Sequence, residues 1–322
     1  MVDADPQCNL TEIALAPTIE VLDAKAAKAT SAKIPDLPGT SLLDALNQRI
    51  RGDAAFIDLA KVKTVKVSNN LFLLRGSVDL STIEDDLAEA HVQRMSMRTN
   101  LMRTYVTIGD FLTRLAEKEK YDYIFVDVGP SSGALTRAFF LVCDAFFIPV
   151  APDRFNVQAI GTLSTILNRW MSEHALIVEQ YRELKLPIRP GTPAFLGAIV
   201  QAFKLYAGKP KPGYKLWMSK IPKEISASVK AVMQAHENRT SRKLYLPTNT
   251  KPISVEIPDF NQLAPLMQEV GKAVFNITRE DTARITDSGK PWLGNNWTSA
   301  ENRMIDYSAR FKKLSELLND LT

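Results

Sequence analysis

Three short apolar runs constrain the fold of this chain more than any other feature. They read YIFVDV at residues 123–128, AFFIPV at 145–150 and AFLGAIV at 194–200. None of them alternates apolar with polar residues, as a strand with one face in water does. Amphipathic helices are predicted before and between the runs, at 101–117 and, as a long helix or helix pair, at 156–184. Buried strands among such helices predict an α/β fold with a doubly wound, mostly parallel sheet covered by helices on both faces.

The composition excludes several classes of protein. With 322 residues the chain can form one large domain or two ordinary ones without cross-links. No apolar run reaches the ~20 residues that a membrane-spanning helix needs, and the mean hydropathy is −0.10. Two cysteines cannot form a disulfide framework, and the three histidines lack the spacing of a zinc site. We therefore expect a cytoplasmic protein with no membrane segment, whose net charge of +4 alone says little about its partners.

Local patterns predict further elements. Thr11 is expected to cap a short helix over 12–15, and residues 16–40, rich in Ala, Lys and Pro, are expected to form a surface connection. Ser81 and Glu84 have the spacing of a Ser-x-x-Glu capping box, which predicts an acidic helix over 81–90.

Aspartates stand where a phosphate ligand could bind. Asp127 comes near the end of the first apolar run, at the sheet edge where open α/β folds bind ligands. A carboxylate there can hold Mg²⁺, usually through water, beside a nucleotide's phosphates, which is the Walker-B arrangement. The plain alternative is that Asp127 caps the next turn. Asp3 and Asp5 would project to the same side of an extended segment, or they are two solvated acids of a frayed terminus.

At this point the sequence resembles a known family. Residues 121–163, which include YDYIFVDVGPSS and a strand ending in IPV, resemble the ParA branch of the ParA/MinD ATPases, SIMIBI-class proteins with a deviant Walker A motif. The opening VDADPQCNLT resembles the family's DxDPQ-x-N-x-T motif. NLFLLRGSVDLSTIEDDL, at 70–87, resembles its strand–Gly–Ser–acidic-helix stretch. The likeness covers residues 1–200 well and 244–275 weakly.

The resemblance implies roles for single residues. Asp5 matches the aspartate that orients or polarises the water attacking the γ-phosphate, and Asp3 matches its upstream companion near the magnesium ion. Asp127 matches the Walker-B residue, and Pro130 and Ser131 match a loop that moves with nucleotide state. ATP and Mg²⁺ are the implied cofactors. A homodimer, non-specific DNA and a ParB-like protein are the implied partners.

One family element has no counterpart in the sequence. The Gly-rich phosphate-binding loop with its lysines precedes DxDPQ in the family, and no G-x-x-x-x-G-K-[ST] occurs in this chain. The strand that carries that loop is a central one, so its loss is expected to expose strand edges and apolar surface. Two explanations follow: the chain is a fragment or mis-started product of a longer gene, or it is a shortened paralogue that no longer hydrolyses ATP.

A lysine-rich segment and a C-terminal helix are further candidates for binding. Residues 203–230 hold seven lysines, one acid and interleaved aromatic residues, and we expect an insertion that contacts nucleic acid, or else a solvated loop anchored by its aromatics. The candidate DNA-binding lysines are Lys204, Lys209, Lys211, Lys215, Lys220 and Lys223. Apolar residues at three- and four-residue spacing over 301–322 predict a helix that packs on its own domain or mediates association.

Two functions remain open from the sequence. The first is a ParA-like ATPase of plasmid or chromosome partition, or of a related mobile element, active in a form that has the phosphate-binding loop. The second is a non-hydrolysing ParA-like binding module that contacts DNA or a partner protein. In both, residues 1–280 form the nucleotide-binding domain and 281–322 a linker with an amphipathic helix.

Overall fold

The computed structural model describes residues 1–28, 36–52, 54–236 and 251–320. They divide into two compact units, each made of several chain segments. The first comprises Met1–Phe139, Gln180–Ile188 and Gln262–Trp292. The second comprises Phe140–Glu179, Arg189–Asn261 and Leu293–Thr322. Both units combine parallel strands with helices, so the predicted α/β class is confirmed.

The regular elements are numbered along the chain. The strands are β1 (Val2–Ala4), β2 (Val65–Ser68), β3 (Leu71–Leu73), β4 (Val126–Val128), β5 (Ala145–Val150), β6 (Ala194–Gln201), β7 (Leu205–Tyr206), β8 (Lys209–Pro210) and β9 (Ile253–Ile257). The helices are α1 (Asn9–Ala26), α2 (Leu42–Ile50), α3 (Glu84–Val92), α4 (Thr99–Glu119), α5 (Ala134–Val142), α6 (Arg154–Ala175), α7 (Val178–Glu183), α8 (Pro212–Met218), α9 (Ile221–Ile225), α10 (Ala231–His236), α11 (Leu263–Val270) and α12 (Gly294–Asn319). The helix pair predicted over 156–184 is present as α6 and α7.

In the first unit, strand β1 lies between β4 and the residue that follows β3. It pairs with β4 in parallel, with Val2 opposite Val126 and Asp3 opposite Asp127. On its other side the amide of Asp3 donates to Leu74 O at 3.1 Å. Val2 and Ala4 are buried, so β1 is an interior strand despite its three residues. Parallel pairing places the carboxyl ends of β1 and β4 at the same edge.

The outer edge of β4 is open. Among the described residues, β4 pairs only with β1. Phe125, just before the strand, is 50% exposed, and Val128 is 39% exposed. This is the open edge and apolar surface expected beside a strand with no neighbour.

Helix α1 corrects the prediction for the N-terminal region. The helix runs from Asn9 to Ala26 with Pro17 inside it, so the predicted surface connection over 16–40 is wrong as far as residue 26. Residues 29–35 lie outside the described residues. Pro17 has no amide hydrogen to donate to the Ile13 carbonyl, four residues earlier in the helix. Packing explains how α1 continues past it, because α11 lies against α1 and Gly271, at the end of α11, comes so close that a Cβ there would stand 2.8 Å from the Ile13 carbonyl oxygen.

The predicted helix caps are also wrong. Thr11 lies inside α1, which begins after Cys8, a residue in the left-handed conformation. Ser81 belongs to a 3-10 helix, Val78–Ile83, whose first turn is capped by Ser77. Helix α3 begins only at Glu84, and the Glu84 carboxylate accepts hydrogen bonds from the start of α5 instead of from Ser81. Local spacing could not reveal that a helix some fifty residues away would bind this acid.

The second unit is built on three parallel strands in the order β5–β6–β9. Ile148, Val150, Ala198 and Val200 are buried between the sheet and its covering helices. Asp153 caps α6 by accepting from the amide of Asn156 at 2.9 Å. The predicted C-terminal helix exists as α12 and starts earlier than expected, at Gly294. Leu321, the last apolar residue of the predicted pattern, lies outside the described residues.

In the described parts of the chain, no helix is both long enough and apolar enough to span a membrane.

Candidate functional site

Three aspartates converge where β1 and β4 end. The register sets Asp3 beside Asp127, and Asp5 follows β1 by one residue. A Cβ on Gly129, two residues after Asp127, would lie 3.1 Å from Asp5 Oδ1. The structure thus brings together the acids that the sequence had placed in separate motifs.

Asp3 is fully buried and held by helix α1. Its Oδ2 accepts hydrogen bonds from the amide of Thr11 at 2.8 Å and from Thr11 Oγ1 at 2.6 Å. The Thr11 hydroxyl in turn accepts from the amide of Gly76 at 2.8 Å. Gly76 fits because it has no side chain, since a Cβ there would be 3.0 Å from the Asp3 carboxyl. Asp3 therefore ties together three segments of the chain.

Asp5 shapes the turn that leads into α1. Its Oδ1 accepts from the amide of Gln7 at 2.9 Å, an Asx turn, and its carbonyl accepts from the amide of Cys8. Asp5 is only partly buried, so its carboxylate stands at the surface beside the segment that follows Asp127.

Negative charge accumulates at this edge. Partial desolvation, then the charges of Asp3 and Asp5, raise the pKa of Asp127 above its ordinary value. Burial and the same two aspartates raise the pKa of Cys8 to about 11, so this thiol is protonated at neutral pH and is not a nucleophile there. A cation would relieve the repulsion among the carboxylates. In the described residues, no group of three or more His, Cys, Asp or Glu side chains is arranged to enclose a metal ion by itself.

The segment after β4 is open to solvent between two glycines. Pro130 and Ser131 are exposed, and Ser131 Oγ lies 3.3 Å from Thr136 Oγ1. Gly133, at the far end, faces the carboxylate of Glu84, which accepts from the amides at the start of α5.

The sequence had predicted Thr11 and Glu84 as helix-capping residues and had not placed either of them beside the aspartates. The final threonine of the DxDPQ-x-N-x-T pattern was the available signal for Thr11. Nothing in the local sequence could have revealed the partner of Glu84.

The lysine-rich segment lies in the second unit and is regular. It contains the antiparallel hairpin β7–β8, then α8, α9 and a π-helical stretch, Ser226–Lys230. The six candidate lysines are exposed: Lys204, Lys209, Lys211, Lys215, Lys220 and Lys223. Beneath them, four side chains are at most 1% exposed in the core: Phe203, Ile221, Ile225 and Val229. Among the aromatics, Tyr206 is 77% exposed, and the Lys220 ammonium lies 4.5 Å from the Trp217 ring centroid.

Comparison with known proteins agrees with this architecture. In an uncharacterized protein of Methanocaldococcus jannaschii, MJECL24, 96 residues are 25% identical, which is 30% of this chain and 32% of that protein. The matched stretch thus spans about a third of that relative's length. Protein DIP2308 from Corynebacterium diphtheriae superposes with a TM-score of 0.56 at 23% identity, covering 84% of this chain and 85% of the other. Apo McdA from Cyanothece superposes with a TM-score of 0.50 at 17% identity, covering 84% and 77%. At these identities the two structures show a shared fold.

The family is set by a match over more than half of the sequence. The family model named AAA_31, described as an AAA domain, matches residues 1–176, which contain β1, β4, β5 and the three clustered aspartates. This range also contains all the motifs of the ParA resemblance except its weak C-terminal part. The chain therefore belongs to the AAA_31 family, described as an AAA domain, and is a member of the ParA/MinD family of proteins.

Proposed function

We propose that this chain forms part of a ParA-like ATPase, active in a form that has the phosphate-binding loop, whose MgATP site includes the carboxyl ends of β1 and β4. The observation that carries the proposal is the convergence of Asp3, Asp5 and Asp127 at one edge, in the register that parallel pairing fixes. Phosphoryl transfer needs mainly a metal ion, a placed water and charge stabilisation. Clustered carboxylates can bind the metal ion and orient the water. Desolvation first, and then the charges of Asp3 and Asp5, raise the pKa of Asp127, and a bound cation would relieve the repulsion among these charges.

Each residue has a proposed part in the reaction. Asp127 would hold Mg²⁺ through water, and the ion would neutralise charge on the phosphates. Asp5 orients the attacking water. Asp3 is the companion acid: it adds negative charge near the ion and, through Thr11, holds the turn that carries Asp5. Pro130 and Ser131 form the exposed segment that responds to the nucleotide.

Nucleotide binding tests this assignment directly. In the form that has the phosphate-binding loop, titration of a fluorescent ATP analogue should show Mg²⁺-dependent binding that Asp127→Ala abolishes. Asp5→Ala should retain binding and lose phosphate release. Asp122→Ala, which removes an exposed acid ahead of β4, is the matched control and should change neither. Equal binding by the wild-type protein with EDTA and with Mg²⁺ would contradict the proposed metal site.

The missing phosphate-binding loop calls for a separate measurement. Intact mass spectrometry of the protein from its natural source discriminates the two explanations. A mass about 3–4 kDa above 35.9 kDa corresponds to an additional strand–loop–helix unit of roughly 30 residues. A mass of 35.9 kDa corresponds to the 322-residue chain itself and favours the non-hydrolysing function.

Assembly and location are proposed with the family function. We infer a homodimer that forms with ATP, a ParB-like partner protein and a cytoplasmic site of action, with residues 1–280 as the nucleotide-binding domain and 281–322 as an appended linker and helix. Sedimentation velocity with and without MgATP tests the dimer: the expected result is a shift from about 36 kDa to twice that mass.

A non-hydrolysing binding module is the second candidate, and the lysine-rich segment favours it. Six exposed lysines stand on a structured hairpin and helices, with Tyr206 projecting among them. Lysines that track a backbone together with an exposed aromatic ring suit nucleic acid. The test is fluorescence anisotropy with a labelled DNA duplex, with and without ATP. Binding without any response to ATP favours the module over the ATPase.

A further inference from the structure

A carboxylate from α3 caps helix α5 beside the aspartate cluster. The carbonyl of Gly133 accepts the first hydrogen bond of α5, from the amide of Arg137 at 3.0 Å, so Gly133 holds the N-cap position. Ser, Thr, Asp or Asn usually stands there and binds the exposed amides with its side chain. Glycine has no such group. Instead, the Glu84 carboxylate accepts from the amide of Ala134 and, at 3.2 Å, from the amide of Leu135.

The Glu84 carboxylate can approach the start of α5 only because Gly133 has no side chain. A Cβ on Gly133 would overlap Glu84 Oε1. At the other end of the same segment, Gly129 lies against the carboxylate of Asp5. The segment 129–133 thus borders an acid from a distant part of the chain at each end, and hydrogen bonds hold it at the Glu84 end. Its middle residues Pro130, Ser131 and Ser132 are exposed.

We propose that Glu84 is a positioning residue that holds the segment 129–133 and, through it, the end of β4 that carries Asp127. Its link to ATP turnover rests on the proposed function. A hydrogen bond to an ionised acceptor is roughly twice as strong as a neutral one, and the positive end of the α5 dipole adds to the attraction. Without Glu84 the first amides of α5 lose their acceptor, and the segment loses the hydrogen bonds that hold it at the Gly133 end. Asp127 is then held less firmly beside Asp3 and Asp5.

Hydrogen exchange of the nucleotide-free chain tests the contact itself. In Glu84→Ala, peptides spanning residues 129–139 should exchange at least about tenfold faster than in the wild-type protein, as expected from the loss of a charge-assisted hydrogen bond. Glu84→Gln keeps an oxygen acceptor and should recover part of the protection. Asp85→Ala removes an exposed acid from the same turn of α3 and should leave these peptides unchanged.

A double variant shows whether Gly133 and Glu84 act on each other. Gly133→Ala should speed exchange in the wild-type background, because its methyl group meets the Glu84 carboxylate. In the Glu84→Ala background the same change should add little. Additive effects of the two substitutions would overturn the proposed contact.

Turnover separates this proposal from the proposed function. In the form that has the phosphate-binding loop, Glu84→Ala should lower kcat for MgATP about tenfold with less change in KM. Glu84→Gln should recover part of the loss, and Asp85→Ala should leave both constants unchanged. Unchanged exchange in Glu84→Ala overturns the role of Glu84 even in a protein that binds ATP. Fast exchange in Glu84→Ala supports the role of Glu84 in holding the segment. If the wild-type protein in the form that has the phosphate-binding loop binds no MgATP, the ATPase assignment is overturned and the role of Glu84 is not.

Discussion

At the scale of single residues, Asp127 carries a charge that the fold disfavours. Its pKa is raised, so the folded state favours the protonated form. That contribution to stability is complete below the ordinary pKa of about 4 and is lost as the pH rises through the raised value. A carboxylate whose pKa the fold raises lowers stability when it is charged, which agrees with a role in binding a cation rather than in stability.

Asp127→Asn should therefore stabilise the protein at pH 7 while removing its response to Mg²⁺. The amide has a similar shape but no charge to repel Asp3 and Asp5. The expected result is a higher Tm than that of the wild-type protein at pH 7, with the difference disappearing below about pH 4, where Asp127 is protonated. Mg²⁺ should raise the Tm of the wild-type protein only. A lower Tm for Asp127→Asn at pH 7 would show that the carboxylate is structurally required.

For Thr11 we expect the opposite effect on stability, because its hydroxyl stabilises the folded protein. It donates to the buried Asp3 and accepts from the amide of Gly76. Thr11→Val keeps the shape of the side chain but leaves the Asp3 carboxylate and the Gly76 amide each without one hydrogen-bond partner. The free energy of unfolding measured in urea should therefore fall by about 2–3 kcal/mol. Thr11→Ser retains the hydroxyl and should lose less than half of that. Equal losses in both variants would point to the methyl group rather than to the hydrogen bonds.

The same residues show how far sequence alone can reach. That Asp3, Asp5 and Asp127 share one site could be predicted only from the ParA resemblance, because the residues alone left Asp3 and Asp5 on an extended segment or in a frayed terminus. The partner of Glu84 could not, since its spacing to Ser81 is that of a local capping box. Both arrangements satisfy the acid, and only tertiary packing decides between them.

At the scale of elements, tertiary packing determined the secondary structure where the local sequence signals were ambiguous. Pro17 is a helix-breaking signal, yet α1 continues to Ala26 because α11 packs against it. In the lysine-rich segment, charge and aromatic content predicted either an interface or a solvated loop. Ile221, Ile225 and Val229 recur every four residues and are fully buried, which explains why the segment is helical rather than a solvated loop. This spacing of four residues was visible in the sequence and is the signal for the α9 and π-helical stretch.

Ile225 should be an anchor of the lysine-rich segment. Its side chain is fully buried beside Phe203, so Ile225→Ala leaves a cavity and should destabilise the fold by about 2–5 kcal/mol. Leu216→Ala is the matched control in the same segment, because Leu216 is 55% exposed and its loss should change stability by less than about 0.5 kcal/mol. Chemical denaturation of the two variants provides the comparison. Equal stability of Ile225→Ala and the wild-type protein would argue against this packing.

At the scale of the whole molecule, the chain order and the compact units do not coincide. Helix α11 of the first unit comes after most of the second unit in sequence, and it packs on α1 near the other end of the chain. The family match ends at residue 176, so this part of the first unit lies beyond it. The matched segment therefore holds the acidic cluster but lacks α11, which covers α1.

Charge is also distributed unevenly along the chain, and this distribution determines how the affinity for an anionic partner should depend on salt. Residues 203–230 carry a net charge of +6, more than the +4 of the entire chain, so the remainder is slightly acidic. An anionic partner should therefore be attracted by this one segment and not by the protein as a whole.

DNA affinity should fall with salt in proportion to the lysines of this segment. Each phosphate contact contributes about 0.9 to the slope of log K against log salt concentration. Replacing Lys209, Lys211 and Lys215 by alanine should therefore reduce that slope by about 2 to 3, without loss of fold because all three side chains are exposed. The matched control replaces the exposed Lys25, Lys28 and Lys66, which removes the same net charge elsewhere in the chain. A slope that changes equally in both triple variants would show that net charge, and not the lysine-rich segment, governs binding.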